Sequence, residues 1–266
     1  MFSKNTEIGR FRGFYLTIIN LAWVFAQIFS GSIIAKSSLS GSYFIASIFM
    51  FAVTLMFIFS LKNFKDPQYK KIPILKTIRF FIKNKHISKI YLLNLILKFF
   101  YTWMIIYTPI YLNTYLHFNW SEIGIIFTIM LLPFVLLTFP AGELSDKIGE
   151  KKMLKYGFLT MSLFTLIIPL IHGSSLLLWA IILFGTRIGA ATVEIMTESY
   201  FFKLEKEEDT DAISFFRNTT PLAYVIAPFI AIPILALIPS FQYIFFVLGV
   251  ILLYGFYITI NLRDVK

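Results

Sequence analysis

Apolar residues run along the chain in eight long stretches, at roughly 13–35, 41–61, 90–115, 121–141, 153–171, 175–202, 212–237 and 241–261. Each approaches the ~20 residues that an α-helix needs to cross the hydrocarbon core of a bilayer. Few charges interrupt them, which separates them from the amphipathic helices of soluble proteins. Turn or polar residues fill the breaks at Lys36–Ser40, Phe118–Ser121, His172–Ser174 and Ile238–Ser240. The pattern predicts an all-α, polytopic membrane protein with eight transmembrane helices. The first stretch is too long for a cleaved signal peptide, and further apolar spans follow it at once.

Residues 62–89 depart from this pattern. They carry nine Lys or Arg residues against one acid, Asp66. Ile74, Leu75, Ile78, Phe81 and Ile82 recur at helical spacing, so the segment reads as an amphipathic helix lying on the inner membrane face, held by anionic lipid. A nucleic-acid or partner-binding role is the other reading of its charge. The segment divides the chain into a two-helix unit, 1–61, a basic linker, 62–89, and a six-helix unit, 90–266.

Charge then fixes the predicted orientation. Basic residues gather in alternate connections: Lys4, Arg10 and Arg12; the linker; Lys147, Lys151, Lys152 and Lys155; Lys203 and Lys206; Arg263 and Lys266. The opposite connections hold only Lys36. This asymmetry supports an even number of spans with both termini and the basic loops in the cytoplasm of an inner or plasma membrane. It also explains the net charge of +10 without a nucleic-acid partner.

Composition narrows the chemistry. The chain is 58% hydrophobic and 14% charged, whereas a soluble domain is about a quarter charged. An ordinary soluble enzyme and a disordered protein are both excluded. Cysteine is absent, which removes disulfides, thiolate metal sites and a cysteine nucleophile. His86, His117 and His172 lie far apart near predicted helix ends, as interfacial polar residues do, so no metal or cofactor is expected.

Between the fourth and fifth spans stands Gly142-Glu-Leu-Ser-Asp146-Lys147-Ile-Gly149-Glu150-Lys151-Lys152. A connection this short between antiparallel helices predicts a sharp turn, for which glycine supplies the backbone freedom. Asp146 can accept from free N–H groups at a nearby helix start. The run resembles the signature loop of the major facilitator superfamily: Gly, three residues, Asp, a basic residue, any residue, Gly, then basic residues. Glu150 departs from it, standing where that family usually has a basic residue. The resemblance implies two six-helix halves joined by a long cytoplasmic loop. It places residues 13–61 as the last two helices of the first half and 90–261 as the second half, with four helices missing at the front. The expectation is a truncated chain, or one piece of a split transporter whose other helices form a partner chain. The resemblance also implies that the signature loop gates at the cytoplasmic face, with Asp146 docked near Gly9–Phe14 and Arg10 or Arg12 as charge partners. A weaker echo lies in Gly185-Thr-Arg187-Ile-Gly189-Ala-Ala191, in a helix whose counterpart in the first half often carries an Arg followed by small residues. Close helix packing explains the small residues without any chemistry.

Ionisable side chains inside spans are costly and mark functional candidates. Arg187 falls near the middle of its span, and Glu194 lies two turns on along the same face, about 10.5 Å away. They are the expected substrate-contact or proton-coupling pair, unless each has a structural partner. Glu198, one turn beyond, belongs to the same set or is interfacial, paired with Arg217. Lys98 joins the set or snorkels to the inner surface, and Asn94 shares its face. Most Phe and Tyr residues are expected to face lipid or pack. Pro133, Pro140, Pro221, Pro228 and Pro233 are expected to interrupt the fourth and seventh spans. The function expected is secondary transport of a small-molecule solute by alternating access, with proton coupling as one form of it. A polytopic membrane enzyme and a non-transporting remnant or subunit are the alternatives. No P-loop or Ser–His arrangement is present.

Overall fold

A computed structural model describes residues 8–62, 74–204 and 210–263, and all regular structure among them is helical. In lipid a backbone must satisfy its own hydrogen bonds, and a helix does so within one segment. The elements are α1 (Ile8–Lys36), α2 (Leu39–Ser60), α3 (Ile74–Lys83), α4 (Lys85–Ile110), α5 (Trp120–Leu136), α6 (Thr138–Ile148), α7 (Glu150–Ile167), α8 (Leu176–Leu204), α9 (Thr210–Arg217), α10 (Thr219–Leu237) and α11 (Tyr243–Ile260). A π-helical turn, Tyr111–Tyr115, extends α4, and a 3-10 turn, Ile168–Leu170, extends α7. Six of these stretches are long and apolar enough to cross a membrane, and Leu21–Lys36 and Trp120–Leu136 are shorter apolar helices. Together they account for the eight predicted spans of a multi-pass membrane protein.

Several predicted boundaries move, each for a local reason. The third span begins at Lys85, because Lys85, His86 and Lys89 continue the helix despite their polarity. Lys89 Nζ donates to Asn261 O at 2.6 Å, tying this end of α4 to the end of α11. The fourth span stops at Leu136, and Pro140 sits in the first turn of α6. Proline has no N–H to bond the carbonyl four residues back, here Leu136, so α5 ends there and a new helix starts at Thr138. In the seventh span the break falls at Asn218, not at the prolines. Pro221 occupies the first turn of α10, where an N–H has no intrahelical acceptor. Pro133, Pro228 and Pro233 lie within continuous helices. The start of α5 carries a capping box that the sequence reading overlooked: Asn119 Oδ1 accepts from Glu122 N at 2.9 Å, and Asn119 N donates to Glu122 Oε2 at 2.9 Å.

A helix, α3, forms within the segment read as membrane-lying, but its apolar stripe divides. Phe81 is buried among Tyr91, Phe201 and Phe215, whereas Leu75 and Ile82, two turns apart, are 83% and 72% exposed. Aromatic packing onto α4, α8 and α9 holds one side of this helix, and the other side is left uncovered. Residues 63–73 of the predicted linker lie outside the described residues.

The core is made by α4, α5, α7, α8, α10 and α11. The tightest seam joins α7 to α8. A Cβ added to Gly189 would lie 2.5 Å from Gly157 O and 2.6 Å from Met161 N, so the two backbones touch. The small residues of the α8 motif therefore serve close packing, as expected of membrane helices. A second backbone contact joins α1 to α5, where a Cβ on Gly31 would lie 2.6 Å from Trp120 O and 2.9 Å from Gly124 Cα. On α10, Thr219, Ala223, Ala227 and Ala231 recur every fourth residue and are buried. Trp103 of α4 packs over them and donates from Nε1 to Ala227 O at 2.9 Å. By contrast α2 has no buried residue.

Gly189→Val should lower stability by about 1–3 kcal/mol, the usual cost of overpacking, because its Cβ meets backbone rather than a movable side chain. Thermal unfolding of the detergent-solubilised protein measures this; an unchanged midpoint would show that the α7–α8 seam has slack.

Candidate functional site

Helical periodicity on two facing elements assembles a charged cluster. On α8, Arg187 and Glu194 lie seven residues apart and point to the same side. On α4, Lys98 and Tyr101 lie three residues apart and form a neighbouring pair on one face. Where the helices meet, Lys98 Nζ and Glu194 Oε1 are 2.5 Å apart. The Tyr101 hydroxyl donates to Glu194 Oε2 at 3.2 Å and lies 3.4 Å from Ala190 O. Both carboxylate oxygens of Glu194 thus have donors on α4. The Lys98 ammonium is engaged in an ion pair with the carboxylate of α8.

Arg187 is 2% exposed. It forms no ion pair or hydrogen bond with Glu194 among the described contacts, in keeping with the two-turn separation. Its guanidinium carbon lies 5.0 Å from the Phe100 ring centroid and 5.4 Å from that of Tyr101, within cation–π range. Its Nε and Nη1 have no hydrogen-bond partner among the described residues. Tyr101 therefore joins the two halves of the cluster, with its ring beside Arg187 and its hydroxyl on Glu194. The sequence reading missed Tyr101; its spacing from Lys98 was the signal that would have found it.

These four residues line a cavity of about 500 Å³. Trp23 and Gln27 of α1, Met104 of α4, Phe127, Met130 and Phe134 of α5, and Thr220 and Tyr224 of α10 complete much of its wall. Its depth along α4, α5 and α8 is near the middle of each helix. The contribution of α1 was not legible in the sequence, since it follows from the glycine contact with α5. A second cavity, of about 640 Å³, opens at the far end among Tyr111, Tyr115, His172, Phe241 and Gln242. Its described lining contains no Asp, Glu, Lys or Arg, so the charge cluster belongs to the first cavity alone. Among the described residues no group of His, Asp and Glu is placed to hold a metal ion.

The other predicted residues have different positions. Asn94 is buried, and its Nδ2 donates to Thr219 Oγ1 at 2.9 Å, a strut between α4 and α10. Glu198 is exposed on α8 one turn beyond Glu194. In the signature run, the predicted loop is largely helix. Gly142, Asp146 and Lys147 lie within α6, and only Gly149 makes the turn, at φ +88°. Lys147 and Lys152 are exposed, and Lys151 is half-buried. The side chains of Asp146, Arg10 and Arg12, and with them the predicted docking contact, lie outside what is described.

Glu150, the departure from the signature pattern, is an anchor. It is 2% exposed at the first position of α7. Lys203 Nζ lies 2.5 Å from its Oε1, and Ser199 Oγ donates to the same oxygen at 3.2 Å. A carboxylate is favoured at a helix N-terminus, and here it also ties α7 to the basic end of α8. A basic residue at this position would face Lys203 instead.

Comparison with protein families matches residues 91–264 to the Major Facilitator Superfamily. No curated protein matches the chain.

The two signature glycines should respond oppositely to alanine. Gly149→Ala forces an L side chain into a positive-φ, extended-ψ conformation (ψ 146°) essentially confined to glycine and should cost about 1–3 kcal/mol. Gly142→Ala, where an added Cβ meets nothing within 4 Å, should gain about 0.5–1 kcal/mol through helix propensity. Melting midpoints of the two variants check this; equal shifts in one direction would contradict the assigned turn.

Proposed function

Since the chain belongs to the Major Facilitator Superfamily, a family of membrane transporters, we propose that it moves a small solute across the membrane by alternating access, with the Lys98–Glu194 pair responding to protons. The observation that carries this reading is a charged cluster facing a cavity at mid-depth between α1, α4, α5, α8 and α10. Charge at that depth is retained where it has work to do, and solute sites of such transporters lie near the bilayer midplane.

The pair supplies a switch. With Glu194 ionised, its two oxygens hold Lys98 and Tyr101 and so hold α4 against α8. A proton on Glu194 removes the negative charge, ends the ion pair and releases Lys98. The contacts between the two helices then differ between protonation states, which is what couples an ion to a conformational equilibrium.

In this reading α1 and α2 belong to the opposing half, residues 62–89 link the halves, and 90–266 form the other half. The basic connections and both termini lie in the cytoplasm, as the charge asymmetry favours. The signature residues gate at that face, with Asp146 near residues 9–14. A carboxylate at a helix N-terminus adds about 0.3–1 kcal/mol to such a closed state. The absence of cysteine makes this testable: cysteines placed at Phe14 and Lys147 should cross-link under oxidation when that end is closed, and failure to do so rejects the contact.

Glu194→Gln should abolish the pH dependence of transport in the full-length protein while leaving expression normal. Solute flux across a pH series, with melting measured in parallel, is the check. Flux unchanged at every pH sinks the coupling role, and a collapse of folding yield assigns Glu194 to structure.

A further inference from the structure

The anionic group of the cavity is engaged at both oxygens, and its guanidinium is not engaged at Nε and Nη1. Glu194 has Lys98 on one oxygen and Tyr101 on the other, so no free carboxylate remains to bind a cation. Lys98 and Glu194 cancel in charge. The other titratable groups on the described wall are Tyr101, Tyr224 and Arg187, and Arg187 leaves the site with one net positive charge. That charge is buried, with Nε and Nη1 unpartnered. The rings of Phe100 and Tyr101 soften its isolation but accept no conventional hydrogen bond from it. A buried charged donor without an acceptor is expensive, and a ligand that brings the acceptor relieves the cost.

We infer that the solute is a monovalent organic carboxylate with an aromatic or branched apolar body, its carboxylate held by Arg187. This rests on the reading of the cavity as the solute site and adds the class of solute. The planar guanidinium matches the geometry of a carboxylate. A single negative charge neutralises the site, whereas a dianion leaves it negative and a cation leaves it with two positive charges. The remaining wall suits the apolar body: Trp23, Phe127 and Phe134 offer ring faces and edges, and Met104 and Met130 adapt to irregular shapes. A cavity of about 500 Å³ admits a one- or two-ring acid.

Equilibrium binding of radiolabelled benzoate to the purified full-length protein tests this, with phenylacetate, benzylammonium and benzyl alcohol as competitors near neutral pH. Benzoate should bind saturably, phenylacetate should displace it, and benzylammonium and benzyl alcohol should not. Arg187→Met should weaken benzoate binding by about tenfold or more, the loss expected of a hydrogen bond to a charged group. Arg187→Lys, which keeps the charge and loses the fork, should fall between. Absence of saturable benzoate binding, displacement by benzylammonium, or undiminished affinity in a folded Arg187→Met protein overturns the inference. The selectivity of the unmutated protein decides the matter even where both variants misfold. Binding is read without a gradient. A protein that binds benzoate but moves no solute therefore upholds this inference and defeats the transport reading. A protein that moves only cations or neutral solutes does the reverse.

Discussion

Glu194 accepts from two side chains of one neighbouring helix, and the arrangement of the cavity follows from that carboxylate. Inside a bilayer an ionised group has no water to fall back on, so its partners must come from the protein. Lys98 and Tyr101 meet that need from α4. Tyr101 is thereby held with its ring beside Arg187, whose Nε and Nη1 have no hydrogen-bond partner among the described residues. One ion pair thus sets the spacing of α4 and α8, the direction of a tyrosine and the isolation of an arginine. The same logic operates at the basic end, where Glu150 is buried only because Lys203 and Ser199 answer it.

Helix packing places these groups at the right depth. Backbone contact between Gly157 and Gly189 brings α7 against one side of α8 and so leaves the opposite side, with Arg187 and Glu194, facing α4 and α5. The alanine stripe of α10 does the same for α4, letting Trp103 reach a backbone carbonyl. Large side chains at these seams would hold the helices farther apart, and a 2.5 Å ion pair between α4 and α8 would be out of reach.

The spans, their helical nature and the basic asymmetry were legible in the sequence because each follows from the solvent the chain must live in. Arg187, Glu194 and Lys98 stood out for the same reason, as charges where hydrocarbon is expected. What could not be read was pairing between helices. Lys98 was free to snorkel until α8 was known to lie beside it, and Asn94 shared its face with Lys98 yet turns to Thr219. The signature run misled in another way. Its glycines suggested a loop, but a glycine with open space around it, as at Gly142, is compatible with helix, and only the positive φ of Gly149 requires one. Proline misled similarly, since a membrane helix tolerates it wherever the freed carbonyl finds another donor.

The crossing of α1 and α5 at Gly31 and Gly124 bears on how the molecule moves. At that point main chain rests on main chain, with no side-chain knob seated in a facing hole. Interlocked side chains resist sliding, because each must leave its hole and find another. A smooth crossing has no such barrier to rotation about the contact point. In the proposed alternating-access cycle it would act as a bearing: α1 would stay in touch with α5 while its angle changed, and the cavity wall that α1 contributes through Trp23 and Gln27 would swing with it.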